Sequence, residues 1–216
     1  WRQERMGDAM VISHNPAFID LTRRLLNDPS DLDARLDLQN WLSNLQDYYK
    51  YDRVFLLDSD GNEHISVPFA FPAQTPSLLL EALPEILQSG QVQFWGFHQD
   101  TPDGPPHLSL LVPILDTQND DQALGLQVMR IDPNSTLFPA IARWPIPSQS
   151  GEALLIRREG DEVVVLSKAQ GVAPDQPVPL GQSERVCVRA VLGGREVVEG
   201  VDYHGNQVIA AAQPVP

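Results

Sequence analysis

Cysteine is almost missing from this chain: Cys187 is the only one among 216 residues. A lone thiol forms no intramolecular disulfide, no CxxC redox pair and no cysteine-rich zinc site, and the run Val186-Cys187-Val188 reads as a small buried hydrophobe. Long apolar runs are missing too. The longest, Leu108 to Leu115, is interrupted by Ser109 and Pro113 and falls well short of the ~20 residues a membrane helix needs. Positive charge is scarce, with 15 Lys+Arg against 29 Asp+Glu and a net charge of −14. Such a surface repels phosphate backbones and anionic lipid heads, so no nucleic-acid partner is expected.

Familiar catalytic and metal-binding patterns are also lacking. His14, His64, His98, His107 and His204 show neither HExxH nor H-x₃₋₅-H spacing. Asp58-Ser59-Asp60-Gly61 starts like a calcium loop but lacks the later oxygen ligands, and reads as a hairpin turn. Ser148-Gln149-Ser150-Gly151 lacks the first glycine of a nucleophile elbow, and there is no glycine-rich phosphate loop. No cofactor, no metal and no enzymatic activity are therefore expected. The alternatives kept open are a protein-binding adaptor and a hydrolase whose residues converge only in the fold.

What is present is patterning. Met6, Met10, Phe18, Leu21, Leu25 and Leu26 recur at helical spacing, interrupted at Asn15-Pro16, which predicts two helices in series. Leu32, Leu36, Leu38, Trp41, Leu42 and Leu45 predict a third helix, capped by Ser30 or Asp31 and running to about Tyr49. The period then shortens. Arg53 to Leu57 and Glu63 to Val67 read as strands around an Asp-Gly turn, followed by a helix at roughly Pro76 to Gln88 despite Pro84. Val92 to His98, His107 to Leu115 and Ala123 to Ile131 read as three further strands.

The second half repeats this plan. Leu56 to Glu63 aligns with Leu155 to Glu162 at an offset of 99, each an apolar strand, an acidic-glycine turn and a returning strand. A connecting helix is expected from Ser135 to Trp144, a short helix over Gln182 to Leu192, and strands at Arg195 to Val201 and Gln207 to Gln213. The fold class is α+β: an N-terminal helical region over residues 1–52, then two PAS-like modules with mainly antiparallel sheets over 53–132 and 133–216. The second is expected to stop one strand short. The first residues, Trp1-Arg2-Gln3-Glu4-Arg5, read as the start of a fragment of a longer protein.

Several segments carry a family resemblance. Trp144 to Ser148, Ala153 to Val163 and Val198 to Ala211 resemble the membrane-proximal half of double Cache domains, the tandem PAS-like periplasmic sensors of bacterial histidine kinases and diguanylate cyclases. The N-terminal helices, the Val54 to Gly61 hairpin, and Phe97-His98 followed by His107 to Pro113 resemble the distal half. The resemblance implies a periplasmic, non-enzymatic sensor fragment that relays ligand binding through transmembrane segments outside this sequence. It also implies a small-molecule ligand and leaves a homodimer as a candidate partner. The Tyr, Arg, Trp-Tyr and Asp pattern of the amino-acid-binding subgroup does not carry over, because Tyr48-Tyr49-Lys50-Tyr51-Asp52-Arg53 holds those residue types in a different order.

Two clusters are candidates for the ligand. In Gln93-Phe94-Trp95-Gly96-Phe97-His98, strand alternation sends Trp95 and Phe97 to one face and His98 to the other, and Ser109 follows on the next strand. Core packing is the bland alternative. Arg53 could grip an anionic group with Tyr51 beside it, or could make an ion pair with Asp52 or Asp47. The expected site is thus Tyr51, Arg53, Trp95, Phe97, His98 and Ser109, all in the first module.

Overall fold

The structure is a computed structural model that describes residues 1–69, 75–101, 104–141, 151–167, 177–193 and 197–215. It is α+β, and the chain divides into two compact units, Trp1–Ser135 and Thr136–Pro216.

Three helices open the first unit: α1 (Arg2–Ser13), α2 (Pro16–Asn27) and α3 (Leu32–Tyr49). The break at Asn15-Pro16 falls where the sequence places it. Asn15 accepts hydrogen bonds from the backbone N–H groups of Ala17 and Phe18, and Pro16 takes the first helical position, where no intrahelical donor is needed. Asp31 caps α3 by accepting from the Ala34 N–H at 2.9 Å. Strands β1 (Arg53–Asp58) and β2 (Glu63–Val67) follow, then α4 (Ser77–Ser89), β3 (Gln93–His98), β4 (His107–Asp116) and β5 (Gln122–Ile131). Pro84 does not end α4, although it leaves the Leu80 carbonyl without an intrahelical donor.

The five strands form one antiparallel sheet in the order β2-β1-β5-β4-β3. The chain thus returns through β5 to the middle of the sheet, and β1, β5 and β4 bury mostly apolar side chains on both faces, with the fully buried Gln127 of β5 among the exceptions. Helices α1 and α2 pack against β4, and α3 packs on β1 and β2. Arg23 on α2 ties this layer to the end of β4 through two hydrogen bonds to Asp116, at 2.7 and 3.1 Å. On the opposite face, Leu79, Leu83 and Ile86 of α4 bury Phe55, Leu57, Leu111, Leu126 and Val128. Gly125 is required where β5 crosses β1, since a Cβ there would lie 2.1 Å from the Leu57 carbonyl oxygen.

In the second unit, α5 (Leu137–Ile141) falls within the predicted connecting helix; the rest of that prediction and Trp144 to Ser148 lie outside the described residues. The single second sheet expected from the repeat is instead two smaller ones. Strands β6 (Ile156–Glu159), β7 (Glu162–Val165) and β8 (Val178–Pro179) form one, β9 (Val197–Val201) and β10 (Gln207–Ala211) the other, with α6 (Val186–Val191) between them in sequence. The two-residue β8 gave no sequence signal because it lies in a Pro-rich stretch. Val163, Val178 and Val188 make a small core with Ile156, Leu180, Cys187 and Val191 around it.

The turn chemistry also pairs differently from the sequence alignment. Asp58 accepts from the Asp60 and Asn62 N–H groups, both at 2.9 Å, and Gly61 adopts φ +85°. The same Asp-x-x-Gly-Asn device recurs not in the β6–β7 hairpin but between β9 and β10. There Asp202 accepts from the His204 and Asn206 N–H groups, both at 2.8 Å, and Gly205 has φ +89°. Burial alone would raise the Asp58 carboxyl, but His64, Asn62 and the turn N–H groups outweigh it and hold it below the ordinary carboxylate range. A lowered folded-state value stabilises the fold above the unfolded-state value near ~3.9 and is lost as the pH falls through the folded-state value. Asp58→Asn is therefore expected to destabilise the chain at neutral pH and to flatten the loss of stability below about pH 4. Urea unfolding of both proteins across that range measures it, and parallel pH profiles would contradict the assignment.

Candidate functional site

The face of the sheet under α4 is apolar along most of its length and turns polar at one end. Backbone pairing aligns Arg53 with Arg130, Arg130 with Ser109, and Ser109 with Trp95, so one transverse row carries two guanidinium groups, a hydroxyl and an indole. Beyond this row His98 pairs with His107. A pocket opens here, lined by Trp95, His98, Asp100, His107, Ser109 and Arg130 on its polar side. Phe55, Leu111 and Val128 from the sheet, with Pro76, Leu78 and Leu79 at the start of α4, complete the wall. The space within measures about 10 Å³, room for a single water-sized particle.

A β-bulge makes this arrangement. From Trp95 to His98 the chain advances three residues while its partner strand goes from Ser109 to His107, a step of two. The extra residue reverses the side-chain alternation, so His98 joins Trp95 on the pocket face. The regular alternation expected from the sequence, with His98 opposite Trp95, is corrected by this bulge. Phe97 belongs to the bulged segment and is half-buried, but it is not among the pocket-lining residues.

Charge and hydrogen bonding link the polar groups. Arg130 donates from Nε to Asp52 at 2.7 Å and from a terminal nitrogen to Asp100 Oδ2 at 3.0 Å. The other Asp100 oxygen, Oδ1, stands 3.2 Å from His107 Nε2. His98 Nδ1 lies 2.7 Å from the Gly96 carbonyl and His107 Nδ1 3.3 Å from the Pro105 carbonyl. A carbonyl only accepts, so His98 Nδ1 carries the proton, and both histidines turn Nε2 inward, that of His107 toward the Asp100 carboxylate. Ser109 Oγ lies 3.3 Å from His98 Nε2, and the two imidazole rings are 4.3 Å apart. Burial lowers the His98 pKa, with the neighbouring His107 and Arg130 adding to that effect against the Gly96 carbonyl and Asp100. Burial would raise Asp100, yet His107 and Arg130 together keep it below the ordinary carboxylate range.

Three of the expected site residues, Trp95, His98 and Ser109, come together in the pocket. Arg53 and Tyr51 do not line it. Arg53 donates to both oxygens of Glu63, at 2.7 and 2.9 Å, and stacks over Phe55. Its partner is thus Glu63, while Asp52, one of the partners the sequence offered, binds Arg130. Tyr51 is buried beside Tyr49, and burial pushes its hydroxyl up to about 12 against the opposing pull of Arg5. The guanidinium in the pocket is Arg130. Sequence reasoning missed Arg130, Asp100 and His107, and also the proximity of His98, Asp100 and His107, whose potential ligand atoms all lie within 4.8 Å of one another. The two predicted strands ending at His98 and beginning at His107 held the clue, since a hairpin closes by pairing those ends.

No protein-family model matches the chain, and no curated protein is significantly similar to it. Among solved structures it is similar to the sensor domain of the V. cholerae histidine kinase DctB, with 12% identity, 79% of this chain and 80% of the other covered, and a TM-score of 0.45. It is also similar to a domain of a sensory box/GGDEF family protein from Vibrio parahaemolyticus, at 17% identity, 82% and 85% coverage, and a TM-score of 0.47. A third is the ligand-binding domain of the Pseudomonas aeruginosa PAO1 amino acid chemoreceptor PctB in complex with L-Gln, at 15% identity, 95% and 80% coverage, and a TM-score of 0.48. At these identities and scores the likeness assigns neither a ligand nor a site residue.

The Arg53–Glu63 pair has side chains only 11% and 4% exposed. Removing one partner strands the other in a buried position, so Arg53→Met is expected to lower unfolding stability by about 3 kcal/mol, and Arg53→Met with Glu63→Leu to recover most of it. Urea denaturation measures both; a loss under about 1 kcal/mol, typical of an exposed pair, would show the interaction to be of surface type.

Proposed function

We propose that the chain is the extracytoplasmic ligand-sensing part of a bacterial transmembrane receptor, that it lies in the periplasm, and that the ligand occupies the pocket beneath α4. The observation that carries this reading is the polar end of an otherwise apolar sheet face. His98, Asp100, His107, Ser109 and Arg130 converge where continued packing of α4 on the sheet would call for apolar side chains. Converging polar groups against an aromatic and aliphatic wall are the usual makeup of a small-ligand site.

Two structural features suit a relay. The first turn of α4 forms one wall of the pocket, so an occupant that displaces it acts on the helix that buries the lower half of the same sheet face. On the other face, α1, α2 and α3 share strands β1 and β4 with the pocket, so the sheet is common to both layers. A ligand shifts such an arrangement only by its differential affinity for the two conformations. None of the helices among the described residues is long and apolar enough to cross a membrane.

Thermal unfolding of the purified chain against small organic acids, amines and divalent metal salts tests the reading. An occupant at about a hundred times its Kd should raise the melting temperature by about 5–10 °C. His98→Leu, a change at a strand end, should abolish that rise while the protein stays folded. No stabilisation by any compound, or a rise that survives His98→Leu, would count against a sensing pocket at this position.

A further inference from the structure

Resting on the reading of this pocket as the ligand site, we infer that its occupant is a divalent transition-metal ion of the zinc class, held by His98 Nε2, Asp100 Oδ1 and His107 Nε2. The inference starts from the direction of the lone pairs. In each histidine Nδ1 lies beside a backbone carbonyl, of Gly96 or Pro105, which leaves Nε2 as the nitrogen aimed into the cluster. Hydrogen bonding of the distal ring nitrogen is how metal-ligating histidines are ordinarily oriented. His107 Nε2 then faces Asp100 Oδ1 at 3.2 Å, and two electron-rich atoms at that distance need a cation or a proton between them.

The carboxylate is oriented in the same manner. Arg130 occupies Asp100 Oδ2, leaving Oδ1 to point at the imidazoles, and Asp52 binds the other edge of Arg130. Two carboxylates, Asp52 and Asp100, stand against the one guanidinium of Arg130 here, in a chain whose own net charge is −14. The free space beneath the start of α4, about 10 Å³, has room for an ion or a water.

The donor set selects the class of ion. Two imidazoles and one carboxylate suit zinc and neighbouring first-row divalent ions, whereas calcium and magnesium require mostly oxygen. Zinc holds ligand atoms at about 2.0–2.1 Å, which places them about 3.4 Å apart in a tetrahedron. The three ligand atoms lie within 4.8 Å of one another, so small side-chain rotations close the set. His98 would exchange its contact with Ser109 for the metal, and a fourth position would remain for water or a small anion.

The test is calorimetric titration of the full chain, stripped with a chelator, with zinc chloride, using magnesium chloride as a control. One zinc per chain and no magnesium are expected. His98→Gln and His107→Gln should each weaken zinc at least as much as the ~10–100-fold that loss of an outer-shell partner costs. His14→Gln and His204→Gln, on histidines outside the cluster, should leave it unchanged. Asp100→Asn, which keeps the side-chain shape, serves if a histidine variant fails to fold. Cobalt(II) should give visible absorption bands of a low-symmetry nitrogen-oxygen site that disappear in the same variants. Absence of stoichiometric zinc, or zinc retained by His98→Gln and His107→Gln, overturns the inference and leaves a proton shared by His107 and Asp100 as the cation. If zinc fails but an organic compound stabilises the wild type and not His98→Leu, the metal inference falls and the sensing pocket stands. If neither binds, both fall.

Discussion

The sheet of the first unit is covered on both faces, and the site depends on that constraint. Strands β1, β5 and β4 lie between the α1–α3 layer and α4, so nearly every side chain along them must be apolar or have a partner. Phe55, Leu57, Leu111, Leu126 and Val128 satisfy this beneath α4. The row Arg53, Arg130, Ser109 and Trp95 departs from it, and the departure is answered locally. Glu63 takes Arg53, Asp52 and Asp100 share Arg130, and Ser109 meets His98. Buried polar groups left without partners cost several kcal/mol, so Arg53, Arg130 and Ser109 each need their own partner in place.

That dependence explains why two neighbouring guanidinium groups play different parts. Arg53 and Arg130 face the same side of the sheet and are paired in register. Arg53 is closed off by a carboxylate on the edge strand β2 and by the Phe55 ring, which leaves it a structural ion pair. Arg130 bridges two carboxylates, one at the start of β1 and one just beyond β3, and so reaches from the fold's own ionic bonding into the pocket. The pocket is lined by Arg130 of β5, in the middle of the sheet, and not by the Arg53 expected from the sequence.

Which strand is central was not legible in the sequence. Helix ends were, because Asn15, Pro16 and Asp31 act within one turn of their own position. Strand limits were close for the same reason: alternation and turn residues are local signals. The sheet order β2-β1-β5-β4-β3 is non-local, and with it went the adjacency of Arg130 to Ser109 and of Asp52 to Arg130. The bulge after Trp95 was hidden for another reason. Strand alternation assumes one residue per step, and one additional residue reverses every assignment beyond it, moving His98 from the far face to the pocket. In the second half, the hairpin resemblance at an offset of 99 was sequence similarity without shared turn chemistry. Gly160 makes a two-residue turn between β6 and β7, whereas the five-residue hydrogen-bonding pattern of Asp58 recurs around Asp202.

The contrast between the two units bears on where a ligand could act. The second unit's core of Val163, Val178 and Val188 is small and wholly apolar, and its strands are shared between two short sheets. Among the described residues, the one group of side chains able to hold a metal ion lies in the first unit. There the polar groups sit beside a core large enough to hold them in fixed positions, as a binding site requires of its supporting shell. A bulge there also costs little in sheet pairing, because β3 is an edge strand and only one side of its ladder is disturbed. In a central strand the same extra residue would disrupt two ladders. The placement of His98 on an edge strand, opposite His107 on its inner neighbour, lets the face change from apolar packing to a polar cluster without weakening the strands that carry the fold.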